Sequence, residues 1–286
     1  TQVKPLAHLK SNPDLSNLLE MRTKVLTWLA KSTSEHYSSL RIPKKNGTFR
    51  KIYNPDQVMI TTQFKILTRI LELCPVEPYV YAFEKRKSIP VMAQIHTQKR
   101  LVISLDIKDF FTAITQSKLN VCFKALGMGD SAARTLSELC TYTFFVPQGG
   151  ITSPKVANIV TSLTFGPDIK HLCDEEGFDL TIYADDITIS TNREGVNIPR
   201  LITRITECLT TYGFRVNRAK TKVMALPGRQ YVCGVVVNEK TNMLRKSRQK
   251  LRAMVHYLEK EGLDAAAVRN EAESPENYES ILKGRL

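Results

Sequence analysis

Residues 180–190 read Leu-Thr-Ile-Tyr-Ala-Asp-Asp-Ile-Thr-Ile-Ser. Apolar and polar residues alternate on both sides of the central Asp185-Asp186, and aspartate favours turns, so this stretch predicts two β-strands joined by a tight turn. A second stretch, Leu101 to Ile107, is a nearly continuous apolar run that contains Asp106 close to its end and predicts a buried strand. If these strands are neighbours in one sheet, three carboxylates meet at one end of it. Clustered carboxylates repel and normally bind a cation, and their oxygen atoms suit Mg²⁺; the alternative is that the aspartates only form the turn.

The elements predicted around these strands indicate an α+β fold. From residue 100 the order is strand, helix, helix, hairpin, helix, strand, hairpin, which predicts a ferredoxin-like core in which helices cover one face of an antiparallel sheet. The other face is free for a long ligand. Ahead of this core, Lys44-Lys45-Asn46-Gly47 predicts a hairpin turn, because Asn-Gly tolerates positive φ. Helices are predicted at residues 14–32, 56–74 (with Phe64 on the apolar side), 117–142, from Ser153, 199–212, 242–262 and 278–286, and short strands at 214–216 and 230–237.

Charge and composition narrow the class of protein. The 286 residues carry 41 Lys and Arg against 28 Asp and Glu, a formal charge of +13, which favours an anionic partner such as nucleic acid. The six cysteines form no CxxC pair, which predicts reduced core cysteines in a cytoplasmic protein rather than a zinc site or a disulfide framework. No apolar run reaches the roughly 18 residues of a membrane span, and residues 1–10 do not resemble a secretory signal because they have no apolar central stretch. Both ends look trimmed, so we expect a C-terminal extension to be missing.

Five stretches resemble, in the same order along the chain, the motifs of reverse transcriptases. Tyr183-Ala184-Asp185-Asp186 looks like the YxDD box, and Ser104 to Phe111 resembles the motif in which the first Asp, here Asp106, binds metal. Val146 to Pro154 is similar to the PQGxxxSP motif. The other two are Gly213 to Lys222 and the primer grip Tyr231-Val232-Cys233-Gly234. The resemblance covers roughly residues 35–262.

Two further stretches resemble the bacterial retron group. Residues 82–96 are similar to its NAxxH element, with Met92 where Asn is usual. Val232-Cys233-Gly234 is similar to its VTG signature, with Cys for Thr. The resemblance implies a right-hand polymerase with fingers, a ferredoxin-like palm and a helical thumb. We expect an N-terminal helical extension at 1–34, fingers at 35–99 and 113–145, the palm at 100–112 and 146–237, and a truncated thumb at 238–286.

The resemblance also implies the reaction. A primer hydroxyl attacks the α-phosphate of a dNTP on an RNA template, pyrophosphate leaves, and two Mg²⁺ ions, with Mn²⁺ as a substitute in vitro, are held by Asp106 and Asp185 with support from Asp186. Lys220 matches the lysine that protonates the leaving pyrophosphate, or it only neutralises phosphate charge. Phe111 matches the steric gate that excludes a 2′-OH; the alternative is a core aromatic beside Phe110.

Further residues are implied to bind substrate. Arg50 and Lys45 would hold the triphosphate, unless their hairpin is only a solvated basic loop. Gln148 and Gly149 would pack under the templating base, unless they form an ordinary loop. His96 would contact nucleic acid or be a buried, satisfied histidine. The remaining implied nucleic-acid contacts are Tyr183, Cys233, Gly234, Arg245, Lys246, Arg248 and Lys250, the last four on a helix that could equally be a solvated basic face.

Retron membership implies a dedicated structured RNA that serves as template and primer, an RNA-linked single-stranded DNA (msDNA) started from a 2′-OH, a host RNase H, and an effector protein in anti-phage defence. No membrane partner is expected. Three alternatives stay open. They are another bacterial reverse transcriptase (group II intron, diversity-generating or CRISPR-associated), a polymerase that copies RNA into RNA, and a non-catalytic RNA-binding scaffold.

Overall fold

The N-terminal third is helical apart from one hairpin. This computed structural model describes residues 4–43, 47, 49–270 and 272–283. The elements of the N-terminal third are α1 (Asn12–Leu19), α2 (Thr23–Lys31), β1 (Tyr37–Pro43), β2 (Phe49–Pro55), α3 (Gln57–Arg69) and α4 (Ile89–Gln94). β1 and β2 pair antiparallel, which confirms the predicted hairpin, although residues 44–46 and 48 of its turn lie outside the described residues. The single helix predicted over 14–32 is wrong, because Glu20 adopts φ 52° and ends α1.

The middle of the chain forms the antiparallel sheet that was predicted. Its elements are β3 (Leu101–Asp106), α5 (Phe110–Ala113), α6 (Gln116–Ala125), α7 (Asp130–Leu139), α8 (Ser153–Leu163), α9 (Phe165–Glu176), β4 (Asp179–Tyr183), β5 (Asp186–Thr191), α10 (Ile198–Thr211) and β6 (Lys222–Ala225). The four strands lie in the order β4-β5-β3-β6, and every neighbouring pair is antiparallel. In the chain, β3 comes first, the hairpin β4–β5 second and β6 last, with helices between them. A ferredoxin-like fold arranges such a series in this strand order.

The helix predicted over 117–142 is two helices, and the N-terminal segment explains the break. Gly127 adopts φ 101°, and a Cβ on Gly129 would lie 1.9 Å from the backbone oxygen of Lys10. Residues 6 and 9 run along this turn: the Leu6 N–H donates to Leu126 O and the Gly129 N–H donates to Leu9 O. Long-range packing of this kind leaves no periodic signal in the sequence of the helix itself.

The C-terminal part departs further from the prediction. Residues 214–216 form only an isolated bridge, Ile107↔Val216, and the fourth strand of the sheet is β6 instead. The strand predicted over 230–237 is divided by a turn at Cys233 and Gly234, whose φ angles are 45° and 85°. The elements here are β7 (Tyr231–Val232), β8 (Val235–Val236), β9 (Asn242–Met243), α11 (Arg245–Arg269), which is kinked at Gly262, and α12 (Pro275–Lys283).

Two hydrophobic clusters show how these parts are joined. The main cluster includes the N-terminal residues Leu6, Leu15 and Leu26 together with the buried residues of β3 and β5, so the N-terminal helices pack on the same core as the sheet. A small cluster around Met254 and Tyr278 holds α11 against α12. The division into fingers, palm and thumb remains a prediction. Among the described helices, none has the length and apolar composition that crossing a bilayer requires.

Candidate active site

Three carboxylates lie at one end of the sheet. Asp106, the last residue of β3, is the direct antiparallel partner of Asp186, the first residue of β5. Asp185 precedes β5, and its backbone oxygen accepts a hydrogen bond of 2.8 Å from the Ile107 N–H. The turn between β4 and β5 is tight because Ala184 adopts φ 54°. The register of two neighbouring strands therefore brings together the three aspartates that the sequence singled out.

Burial and mutual repulsion disfavour the ionised form of the aspartate pair. The pKa of Asp186 is raised to about 6, first by burial and then by the charges of Asp185 and Asp106. The pKa of Asp185 is also raised, mainly by burial, while Lys220 and Arg50 oppose the rise. A positive charge placed between these carboxylates would relieve both effects. The site is therefore built to attract a cation.

Lys220 already supplies one positive charge. It ends the short 3₁₀ turn Arg218–Lys220, and its Nζ lies 2.6 Å from Oδ2 of Asp106. This hydrogen bond is the main reason that the pKa of Lys220 is raised. The Asn217 N–H also donates to the backbone oxygen of Asp106, at 2.7 Å, which fixes the turn beside β3. A charged, proton-bearing ammonium group is thus held beside the carboxylates.

The carboxylate oxygens fit Mg²⁺, although they do not form a complete coordination shell on their own. Within the part of the chain that the structure describes, no three His, Cys, Asp or Glu side chains are gathered into a metal-binding group. Mg²⁺ usually takes only one or two carboxylates from a protein and completes its octahedral shell with water and substrate phosphates. Asp106 and Asp185, with Asp186 beside them, supply that number of hard oxygen donors at one place.

The loop that carries Gln148 and Gly149 is fixed to the hairpin. The Tyr53 N–H donates to Gln148 O at 2.7 Å, and a Cβ on Gly149 would lie 2.3 Å from Tyr53 O. Gly149 also adopts φ 114°, so only glycine suits this position. From the other side, the Ile151 N–H donates to Oε1 of Gln63 at 2.9 Å.

Gln63 is a supporting residue that the sequence analysis missed. Its side chain is fully buried, and its Nε2 donates to Tyr37 Oη and to Leu139 O, each at 2.8 Å. The prediction placed Phe64 on the apolar side of α3, but 59% of Phe64 is exposed. Helical periodicity alone favoured the phenylalanine, because a buried glutamine is stable only where tertiary partners satisfy it.

The structure separates the two adjacent phenylalanines. Phe110 is 3% exposed and packs 5.9 Å from the ring of Phe214, whereas Phe111 is only partly buried. Phe110 is therefore the more deeply buried of the two, while Phe111 packs against the edge of the same core and keeps part of its surface exposed. Arg50 is exposed on β2 and is close enough to lower the pKa of Asp185. Lys45, the other predicted phosphate-binding residue, lies outside the described residues.

Cys233 and Tyr183 lie around Asp186. The Cys233 thiol donates to Oδ2 of Asp186 over 3.8 Å, and burial, followed by Asp186, raises its pKa to about 12. Tyr183 is the partner of Asp186 across the hairpin and is partly buried. Gly234 follows Cys233 in the same turn. At the start of α11, Arg245, Lys246, Arg248 and Lys250 are all exposed and available to a partner.

The predicted contact between His96 and nucleic acid is not supported. His96 is fully buried, with Nδ1 2.7 Å from Ser190 Oγ and Nε2 2.8 Å from Thr181 Oγ1. Burial lowers its pKa to about 4, so the ring is neutral. Because Thr181 lies on β4 and Ser190 on β5, the histidine joins the two strands of the aspartate hairpin. The second interpretation, a buried and satisfied histidine, describes it.

Comparison with protein families agrees with this geometry. The family described as reverse transcriptase (RNA-dependent DNA polymerase) matches residues 42–259. The chain belongs to this family. The match includes the three aspartates, the Gln148-Gly149 loop, Lys220 and the start of α11. The reverse transcriptase region therefore runs from the end of β1 through the sheet to most of α11.

Retron reverse transcriptases are among the similar proteins. The retron Mx65 reverse transcriptase of Myxococcus xanthus is 33% identical over 239 residues, which cover 77% of this chain and 56% of the relative. The retron Mx162 reverse transcriptase of the same organism is 29% identical over 292 residues, covering 89% and 60%. The retron Ec86 reverse transcriptase of Escherichia coli is 27% identical over 248 residues, covering 86% and 77%. The chain therefore spans a little over half the length of the two Myxococcus relatives.

Proposed function

We propose that the protein is an RNA-directed DNA polymerase of the retron type. The observation that carries the proposal is the pairing of Asp106 with Asp186 on neighbouring strands, with Asp185 beside them and the ammonium group of Lys220 on Asp106. Family membership supports the reaction class, and similarity to retron enzymes supports the retron type.

The residues of the site suggest a division of roles. Two divalent ions, Mg²⁺ in our proposal, would be held by Asp106 and Asp185, supported by Asp186; when bound, they would activate the attacking hydroxyl and stabilise the leaving oxygen. Lys220, kept protonated by its partner, would donate a proton to the departing pyrophosphate. Arg50 would hold the triphosphate, because its guanidinium matches phosphate oxygens.

The remaining roles concern the template and the sugar. Phe111, only partly buried next to the core residue Phe110, would pack under the sugar and exclude a 2′-OH. Gln148 and Gly149 would support the templating base from a loop anchored on β2. The basic start of α11 would follow the backbone of the template–primer duplex through sequence-independent phosphate contacts.

In a retron, the template and primer would be a structured RNA made for this enzyme. The product would be an RNA-linked single-stranded DNA, an RNase H of the host would remove copied RNA, and an effector protein would connect synthesis to anti-phage defence in the cytoplasm. The similarity to retron enzymes motivates this part of the proposal.

Nucleic acid that copurifies with the protein from its own operon tests the proposal. We expect a discrete DNA that shifts on a denaturing gel after RNase treatment and is absent from the Asp185→Asn/Asp186→Asn variant. Oligonucleotide-primed RNA should be copied with dNTPs by the wild type and not by the variant. If the wild type copies no primed RNA and the variant retains the biological effect, the non-catalytic scaffold replaces the polymerase.

The choice of nucleotide distinguishes DNA synthesis from RNA synthesis. We expect Phe111→Ala to raise incorporation of rNTPs relative to dNTPs, because the ring would no longer exclude the 2′-OH. Phe111→Tyr keeps the ring and is the matched control. Efficient use of rNTPs by the wild type would favour a polymerase that copies RNA into RNA.

A further inference from the structure

Phe83 has a backbone conformation that phenylalanine rarely adopts. Its φ is 59°, and 50% of the residue is exposed. A bulky residue at positive φ is strained, and such strain persists only where the surrounding structure enforces it. Burial of the ring does not account for the strain here, because half of the residue remains exposed. The conformation therefore needs a structural cause and a reason to be retained.

Side chains of α8 hold the residues on both sides of Phe83. Asn158 Nδ2 donates to the backbone oxygen of Ala82 at 2.5 Å and to Oε1 of Glu84 at 2.9 Å. Lys155 Nζ donates to both carboxylate oxygens of Glu84, at 2.9 and 3.1 Å. Asn158 is 1% exposed, and the side chains of Lys155 and Glu84 are 13% and 18% exposed. This buried network, Glu84-Lys155-Asn158, is the structural cause of the strained conformation.

The ring of Phe83 is held beside the catalytic hairpin. Its centroid lies 6.3 Å from that of Tyr183, with 39° between the planes, and Tyr183 is two residues before Asp185. Phe83 also lines a recess of about 290 Å³ together with Ile151, which precedes α8, and Pro154 in the first turn of α8. The exposed ring thus stands between the aspartate hairpin and the start of α8.

We propose that Phe83 and Tyr183 form one aromatic platform that packs against the last base pairs of the primer–template duplex, and that the Glu84-Lys155-Asn158 network positions it. The proposal rests on the proposed polymerase function, which puts the primer terminus at the aspartates. Aromatic rings bind bases and sugars without sequence preference, as a template-copying enzyme requires. Lys85, which pairs with Glu72 at 3.0 Å, and Arg86 follow Glu84, and their exposed cations suit the adjacent phosphates.

Substitutions at Phe83 test the contact. The affinity for an RNA template annealed to a DNA primer and the KM for dNTP would be measured for Phe83→Leu, Phe83→Trp and, as control, Phe64→Leu, which alters a similarly exposed phenylalanine in a regular helix. We expect Phe83→Leu to weaken duplex binding about five- to tenfold through the lost apolar contact of the ring, with the KM for dNTP unchanged. Phe83→Trp should bind like the wild type, and so should the control.

Phe83→Gly separates strain from function. Glycine adopts positive φ without strain, so this variant should melt at a higher temperature than Phe83→Leu while binding the duplex as weakly. Two results with an active wild type would refute the platform but leave the polymerase function intact. In one, Phe83→Leu binds the duplex as tightly as the wild type does. In the other, Phe64→Leu loses as much affinity as Phe83→Leu does. A wild type that extends no primed RNA would refute the proposed function first.

The positioning network is tested by a double-mutant cycle. Glu84→Gln removes the charge that Lys155 pairs with and should weaken duplex binding in the wild-type background. In the Phe83→Leu background the same change should have little further effect, because the ring that it positions is already gone. Equal weakening in both backgrounds would show that Glu84 acts only on the fold.

Discussion

The buried histidine gives the prediction with the best-defined magnitude. The ring of His96 is fully buried and accepts or donates one hydrogen bond at each nitrogen, to Ser190 and Thr181. Burial lowers its pKa from 6.5 to about 4, so protonation is much harder in the folded than in the unfolded chain. Between these two pH values the unfolded chain binds more protons, and stability falls as the pH falls.

The size of the loss follows from the two pKa values. Above about pH 6.5 the ring is neutral in both states and contributes no pH dependence. Below it, the free energy of unfolding decreases by about 1.4 kcal/mol per pH unit, to a total of about 3 kcal/mol near pH 4. Because the histidine joins β4 to β5, this loss falls on the hairpin that carries Asp185 and Asp186.

His96→Gln removes the titration and keeps a group that can form hydrogen bonds. Urea unfolding would be measured from pH 7.5 to 4.5 for the variant and the wild type. At pH 7.5 the variant should be less stable by roughly 1–2 kcal/mol, since the amide replaces the two hydrogen bonds imperfectly. Towards pH 4.5 this difference should vanish or reverse. Parallel curves for the two proteins would refute the reasoning, because they would show that the buried ring does not titrate differently on folding.

Three further predictions concern the site. In a metal-free buffer at pH 7.5, Asp186→Asn should raise the free energy of unfolding by roughly 1–2 kcal/mol, because the Asp186 carboxyl has a pKa raised to about 6 and is costly to ionise in the folded protein. Urea unfolding should show about half of this gain at pH 5, where the carboxyl of the folded protein is largely protonated. A gain that does not depend on pH would contradict this cause. Gly149→Ala should lower the free energy of unfolding by roughly 2–4 kcal/mol, since a methyl group cannot lie against the Tyr53 oxygen, and should raise the KM for dNTP. Urea unfolding and steady-state kinetics would measure the two effects. A variant with wild-type stability and wild-type KM would refute the prediction. Lys220→Ala should lower kcat about a hundredfold in single-nucleotide incorporation. Lys220→Arg should be equally slow, because arginine keeps the positive charge but does not give up its proton. Recovery of kcat in Lys220→Arg would favour simple neutralisation of charge over proton donation.

The sequence predicted the parts of the site that local pattern controls. Alternation and turn chemistry located β4, β5 and the turn at Asp185-Asp186, and the apolar run located β3, so the meeting of the carboxylates was predictable. The ferredoxin-like class was also predictable from the series of strands and helices, although the fourth strand is β6 and not residues 214–216.

Several of the errors share one physical source, which is contact between residues far apart in the chain. Gly129 directly precedes α7 at the break in the predicted helix, where the backbone of Lys10 approaches it. Gln63 is buried because three distant groups satisfy its amide. A histidine can contact nucleic acid, and that was one of the two interpretations of His96. Both of its hydrogen-bond partners, however, lie on strands more than 80 residues away in the chain. No window of local sequence contains these partners.

The energetic cost of the site is concentrated at one end of the sheet. Phe83, Ala184 and Cys233 all adopt positive φ there, although none is glycine, and Asp185 and Asp186 have raised pKa values. Each feature taken alone lowers stability, and glycine or asparagine would relieve it. Residues other than glycine also adopt positive φ at Glu20, Arg86, Gln98, Asp109 and Thr143, so strained backbone alone does not mark this end of the sheet. What sets it apart is that strained residues lie beside carboxylates with raised pKa values. A strand register, a buried histidine and a largely buried ion pair hold them there. A fold under selection for stability alone would remove the repelling carboxylates, so their retention beside strained residues is itself an argument that this end of the sheet is where the protein acts.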